Sequence, residues 1–308
     1  MGIYKNITEL IGNTPLLELS GIAKQSGVKA RVIAKLEYFN PAGSVKDRVG
    51  LAMLDEAEKT GVLTKDTVII EPTSGNTGIG IAAVASARGY KTVIVMPDSM
   101  SIERQKLLKA YGAELVLTDG KLGMTGAINK AEELKEEYGN AFIPGQFTNP
   151  ANPKCHELTT GPEIWDATDG KVDIFIAGAG TGGTVSGVGK YLKSKNPDIK
   201  IIAVEPASSA VLSGGVAGAH KIQGIGAGFV PDTLNMSVID EVITVGDDEA
   251  LSMIKTLVKT DGVLCGVSSA AAVCSAIEVA KREMNTGKTV VTLLPDGGEK
   301  YLSLPIFD

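Results

Sequence analysis

One lysine and three loops of this 308-residue chain have the composition of groups that bind anions and move protons. Lys46 stands in the run Asn40-Pro41-Ala42-Gly43-Ser44-Val45-Lys46-Asp47-Arg48. Ser44 with Asp47 three residues on has the form of a helix-starting cap, which puts Lys46 in a first helical turn. There the helix dipole disfavours the ammonium form and lowers the amine's pKa, and a partly deprotonated lysine is what Schiff-base chemistry needs. A charge on a solvated helix face is the ordinary alternative, so the reading of Lys46 depends on what shares the chain with it.

The first loop, Thr73-Ser74-Gly75-Asn76-Thr77-Gly78, follows Glu71-Pro72 and precedes an apolar helical segment. Hydroxyls and backbone N–H groups at a helix start suit a carboxylate or a phosphate, although the same residue types also serve as plain caps. Two threonines, a serine and an asparagine within five positions exceed what one cap requires. The second loop is Gly178-Ala179-Gly180-Thr181-Gly182-Gly183-Thr184, whose glycines let the backbone approach a phosphate at a helix's positive end. It also matches GxGxxG, with Glu205 about 20 residues on, as a dinucleotide site in an NAD-dependent oxidoreductase requires. That rival needs a hydride-transfer centre, and neither histidine, His156 or His220, has a catalytic setting. The threonine hydroxyls favour a terminal phosphomonoester over a pyrophosphate, and a bare glycine turn with no ligand is the remaining option. The third loop, Gly266-Val267-Ser268-Ser269-Ala270, opens another helix and alone reads as an N-cap.

The elements that must hold these groups alternate along the chain. Short β-branched runs at 32–34, 68–70, 93–95, 115–117, 174–177, 201–204, 242–245 and 290–294 suit strands buried on both faces. Helical spacing of apolar residues marks 49–59, 79–88, 102–111, 125–138, 185–194 and 249–260. The alternation predicts an α/β protein of parallel sheets covered by helices, whose ligands collect at loops leaving the carboxyl ends of strands. The chain is too long for one comfortable core, so two lobes are expected, with 144–153, rich in Pro and Asn, as the crossing. A net charge of −6 with mixed signs and no basic stripe argues against nucleic acid. No targeting segment, N-myristoylation signal or membrane span is read, and Cys155, Cys265 and Cys274, without metal or CxxC spacing, read as reduced packing residues. A cytoplasmic location is the expectation, with no metal and no membrane partner.

Taken together, NPAGSVKDR at 40–48, EPTSGNTG at 71–78, GAGTGGT at 178–184, KIQGIGAGF at 221–229 and GVSS at 266–269 resemble the O-acetylserine sulfhydrylase (cysteine synthase A) family. These are fold-type II pyridoxal-phosphate enzymes, similar in fold to the tryptophan synthase β subunit, and the likeness runs from ITELIGNTPLLEL at 7–19 to PDGGEKYLS at 295–303. The resemblance implies a smaller mobile lobe at 38–145 carrying a substrate-carboxylate loop. It implies a larger lobe, 1–37 with 146–308, carrying the phosphate loop. By the same resemblance Lys46 holds pyridoxal 5'-phosphate as an internal aldimine and serves as base and acid at Cα. Asn76 bonds the ring hydroxyl, Gly180, Thr181, Gly182, Gly183 and Thr184 bind the phosphate, and Ser268 faces the pyridine nitrogen. Thr73, Ser74, Thr77 and Gln146, with Gly75 and Asn76 of the same loop, hold the amino-acid carboxylate. A serine does not protonate the ring nitrogen as an aspartate would, which moderates the electron sink and favours β-elimination. The implied reaction replaces the acetate of O-acetyl-L-serine by sulfide through an α-aminoacrylate, giving L-cysteine. A homodimer and a serine acetyltransferase C-terminal tail are the implied partners.

Three positions depart from the family pattern: Ala270 where glycine is common, Cys155 where an aliphatic residue is usual, and Asp232 after the glycine-rich stretch. Asp232 is a candidate for activating a thiol or water as second substrate, against a solvated turn after Pro231. A cysteine-consuming β-replacement enzyme that releases hydrogen sulfide and forms lanthionine, cystathionine or serine is the nearest alternative. A non-catalytic subunit of the same fold is countered by intact Lys46, Asn76 and Ser268.

Overall fold

A computed structural model describes residues 2–73 and 75–302. The strands are β1 (Leu16–Glu18), β2 (Arg31–Leu36), β3 (Val68–Pro72), β4 (Thr92–Pro97), β5 (Glu114–Thr118), β6 (Ala141–Phe142), β7 (Ile174–Gly178), β8 (Lys200–Pro206), β9 (Glu241–Val245) and β10 (Thr289–Leu294). The α-helices are α1 (Ser20–Ser26), α2 (Lys46–Lys59), α3 (Asn76–Arg88), α4 (Ile102–Ala110), α5 (Gly123–Tyr138), α6 (Ala151–Cys155), α7 (Gly161–Ala167), α8 (Gly183–Lys195), α9 (Asp247–Asp261) and α10 (Val267–Lys281), with a π-helical turn at His156–Thr160.

These elements sort into two compact units, Met1–Ile11 with Asn40–Ala151, and Gly12–Phe39 with Asn152–Asp308. The first is built on a four-stranded sheet of order β5-β4-β3-β6, parallel throughout. β4 is buried at every residue, as expected of a parallel strand covered on both faces, whereas edge strand β5 is partly exposed. One apolar layer gathers Ile79, Ala82, Ile94, Met96 and Leu108; the other gathers Val68, Ile70, Val93, Val95, Ala127 and Ala131.

The second unit carries a six-stranded sheet of order β1-β2-β10-β7-β8-β9, parallel except for the edge pair β1–β2. β10 and nearly all of α10 are buried in its core, where Ala270 contributes its methyl group to an apolar cluster. All eight strands expected from the sequence are present. The two not anticipated, β1 and β6, have three and two residues, too short for any periodicity to show.

Candidate active site

Helix α2 begins at Lys46 itself, so the lysine is in the first turn as the Ser44/Asp47 spacing predicts. The cap differs in detail. The Ser44 hydroxyl accepts the Lys46 N–H at 3.2 Å, while the Asp47 carboxylate reaches back to the Ala42 N–H at 2.6 Å. Gly43 closes the turn in the left-handed region (φ 79°), which explains a glycine there. What positions this turn is helix α3. A Cβ on Gly80 would lie 2.6 Å from the Lys46 carbonyl oxygen, and one on Gly50 would lie 2.9 Å from the Gly80 carbonyl carbon. Two glycines thus let the helices approach backbone to backbone, joining the start of α2 to the helix that the 73–78 loop opens.

In that loop, Asn76 begins α3 behind Gly75, and Thr73 and Thr77 are buried. The Thr77 hydroxyl donates to the Gln146 amide oxygen at 2.5 Å, which brings Gln146 to the loop from 69 residues away. That contact engages the amide oxygen of Gln146 and fixes which end of the amide faces Thr77. Ser74 lies outside the described residues. Glu71, just before the loop, is buried to 1% exposure, and its carboxylate accepts the backbone N–H groups of Gly145, at 3.2 Å, and Gln146. Burial pushes its pKa up to about 7, against which the two N–H groups pull down.

The second unit assembles the other predicted group. The 178–184 loop leaves β7 and enters α8, with Gly182 in the left-handed region at the N-cap. A Cβ on Gly180 would run into the Gly224 carbonyl oxygen, and a Cβ on Gly224 would sit 3.5 Å from the Ser268 hydroxyl. The GIGAGF stretch therefore joins the 178–184 loop to Ser268, which is buried in the first turn of α10.

Three residues that the sequence reading passed over brace this loop. The Thr233 hydroxyl donates to the Thr181 carbonyl at 2.6 Å, Asn152 donates its amide to the Thr181 hydroxyl at 2.9 Å, and His156 Nε2 lies 3.3 Å from the Thr184 hydroxyl. A signal existed for two of them: Asn152, His156 and Thr160 follow one another at four-residue spacing, and all are fully buried. Asp232, the neighbour of Thr233, is exposed. Glu205 is no ribose ligand: its carboxylate accepts the N–H groups of Leu212 and Ser213, at 2.7 and 2.9 Å, and the Ser213 hydroxyl. The dinucleotide reading loses its acidic partner, because that carboxylate clasps its own loop. All three cysteines are free and buried, as expected, and burial pushes the Cys265 and Cys274 thiols up.

Four α-helices have glycine at the N-cap and so no capping side chain: α3, α8, α9 and α10. Helix α9 compensates its positive end with Asp247, Asp248 and Glu249 in the first turn. The other three have no acidic residue there, and they are the three that carry the 73–78, 178–184 and 266–270 loops. Uncompensated first-turn N–H groups and threonine hydroxyls at α8 fit a phosphate monoester.

The sequence profile of a family described as pyridoxal-phosphate dependent enzyme matches residues 7–296. The chain belongs to that family. It is 56% identical over 303 residues to the cysteine synthase of Staphylococcus aureus, covering 98% of this chain and 96% of the relative. The crystal structure of cysteine synthase from Entamoeba histolytica superposes with a TM-score of 0.97 at 48% identity, covering 99% of this chain and 91% of that one. A hydrogen sulfide-producing enzyme from Fusobacterium nucleatum superposes with a TM-score of 0.94 at 47% identity, covering 98% and 99%. A pyridoxal-phosphate enzyme needs an amine for the aldehyde and a cradle for the phosphate. Lys46 and the α8 start have that chemistry, and the fold-type II α/β architecture agrees with these structures. Among the described residues no helix is long and apolar enough to cross a membrane, and no cluster of His, Cys, Asp and Glu is placed to hold a metal ion.

Proposed function

We propose that the protein is a cysteine synthase that replaces the acetate of O-acetyl-L-serine by sulfide, giving L-cysteine. The observation that carries this reading is the identity of 56% with a cysteine synthase along almost the whole chain. Bound pyridoxal phosphate supplies an electron sink for the pair left at Cα when its proton is removed. Lys46 is the group that holds the cofactor, takes the Cα proton and later returns it. Thr73, Ser74, Gly75, Asn76, Thr77 and Gln146 bind the substrate carboxylate at the positive end of α3, with Asn76 also turned to the cofactor's ring hydroxyl. Gly180, Thr181, Gly182, Gly183 and Thr184 hold the phosphate at the end of α8. Ser268, with the positive end of α10 behind it, favours an unprotonated ring nitrogen. Acetate leaves Cβ with its bonding pair, and the sulfur of sulfide forms the new Cβ bond with its own. On this reading the smaller unit holds the substrate and the larger one holds the phosphate.

The test is the absorption spectrum of the purified, cofactor-loaded protein. A visible band near ~410 nm should shift on O-acetylserine and return on sulfide, and Lys46→Ala should abolish both responses. A band that responds to cysteine with release of hydrogen sulfide, and ignores O-acetylserine, would replace this reading by the cysteine-consuming one. The likeness to the Fusobacterium enzyme is what favours that second reading, and Asp232 is its candidate for activating the incoming thiol or water. We further propose a homodimer, open to the C-terminal tail of a serine acetyltransferase, working in the cytoplasm, where three free cysteines stay reduced. Sedimentation analysis with and without such a tail peptide checks both partners.

A further inference from the structure

Glu71 interrupts a strand whose other interior positions, Val68, Ile69 and Ile70, are apolar. A carboxylate buried to that depth is costly unless donors surround it, and among the described residues no cation pairs with it. Its donors are instead two successive backbone N–H groups, those of Gly145 and Gln146. The reason lies in the sheet. β6 pairs with β3 only through Val68↔Ala141 and Ile69↔Phe142, after which the chain reaches Pro144, which has no N–H, and Gly145, at φ 70°. β3 continues for three more residues, and where the ladder has ended the Glu71 side chain takes over as acceptor for the departing strand. The next side chain on that departing strand is Gln146, whose amide oxygen meets the Thr77 hydroxyl.

We propose that Glu71 is a positioning residue for substrate recognition: by gripping the Gly145 and Gln146 backbone it aims the Gln146 amide, together with Thr77, at the amino-acid carboxylate. This rests on the cysteine synthase reading, and it adds a residue that does not itself touch substrate. The ring is closed within one unit, from β3 through Glu71 to 145–146, through the Gln146 side chain to Thr77, and back along the 73–77 loop to β3. A glutamine keeps one acceptor oxygen where the carboxylate has two and puts an N–H₂ donor in place of the other, which weakens the grip on the Gly145 and Gln146 N–H groups.

The experiment compares cofactor-loaded wild type, Glu71→Gln, Gln146→Ala and the double variant. Glu71→Gln is expected to raise KM for O-acetylserine about tenfold, the scale of one unsatisfied buried N–H, with kcat, KM for sulfide and cofactor content little changed. In the Gln146→Ala background the same substitution should have almost no further effect, since the group being aimed is gone. An unchanged KM, or an equal loss in both backgrounds, overturns the proposal and leaves Glu71 a structural staple. If Glu71→Gln does not fold, hydrogen exchange on the wild type decides: the Gly145 and Gln146 amides should be protected, and fast exchange there overturns the grip. If wild type itself ignores O-acetylserine, the substrate assignment falls, while the exchange result still reports on Glu71.

Discussion

Gly80→Ala adds one methyl group and should disable the enzyme from a position that carries no chemistry. The new Cβ would stand 2.6 Å from the Lys46 carbonyl oxygen, 2.8 Å from its carbonyl carbon and 3.0 Å from the Asp47 nitrogen. All three are backbone atoms, so no side chain can swing aside. Ordinary contact begins at 3.4 Å, so the start of α2 must retreat from α3 by about 0.8 Å, or both helices must share the displacement. Overpacking of this kind costs about 1–3 kcal/mol of stability, and each kcal/mol lowers the melting temperature by roughly 2–4 °C in a chain approaching this size. The larger effect is on the reaction. A misplacement of about 1 Å can cost on the order of 100-fold in rate, and here the displaced turn is the one that carries Lys46. The assay is turnover of O-acetylserine per cofactor-loaded molecule, beside thermal unfolding. Gly246→Ala is the control, since a Cβ there meets nothing within 4 Å and φ is −76°; it should lose about 1 kcal/mol, the cost of alanine at the N-cap of α9, and keep its turnover. Should Gly80→Ala lose stability yet keep its turnover per loaded molecule, the helix contact packs the unit without placing the lysine, and the reasoning is refuted.

The buried Glu71 carboxyl makes stability depend on pH. With a folded value of about 7 against 4.5 unfolded, the folded state binds more protons between those limits, so this contribution is complete below pH 4.5 and is lost as pH rises through 7. At about 1.36 kcal/mol per unit the loss approaches ~3 kcal/mol, and denaturant titrations of wild type and Glu71→Gln at a series of pH values should diverge by up to that amount. Asp261 caps α1 from 240 residues away, accepting the Gly21 and Ile22 N–H groups at 2.8 and 2.9 Å. Asp261→Ala should therefore cost about 1–3 kcal/mol in urea unfolding without changing KM. Cys265 and Cys274, buried with thiols pushed up, should resist thiol reagents in the native enzyme and react at the rate of unfolding, measured by mass spectrometry.

How far the sequence carries depends on the range of the interaction being read. Strands and helices follow from neighbours a few residues apart, so β4 and β10, buried throughout, were legible as β-branched and apolar runs, while β1 and β6 were too short to register. The placement of Lys46 in a first turn was equally local. Gln146 was not legible in this sense: nothing near it in the chain betrays a partner 69 residues away, and it came only with the family resemblance. Glu71 was passed over for the opposite reason. Before a proline at the end of a β-branched run it looks like the polar residue that ends a strand, and only burial reveals a carboxylate held by two backbone N–H groups. Thr233 was masked by Asp232, whose charge drew the functional reading although the exposed carboxylate faces solvent and the hydroxyl beside it holds the 178–184 loop.

One pattern was present in the sequence and can be used without coordinates. A helix start that follows glycine has no capping side chain, so its positive end must be answered by something else. Where a protein helix needs only itself, acidic residues in the first turn do this, as in Gly246-Asp247-Asp248-Glu249. Gly75-Asn76-Thr77, Gly182-Gly183-Thr184 and Gly266-Val267-Ser268 leave the same end uncompensated and offer neutral polar or apolar residues instead. An acidic residue at any of these three starts would repel the groups proposed to bind there, a carboxylate and a phosphate, or would favour protonation of the ring nitrogen that Ser268 is proposed to face. The absence of acid after glycine therefore separates these starts from α9 on physical grounds, and it does so without the GxGxxG match that made the dinucleotide reading plausible.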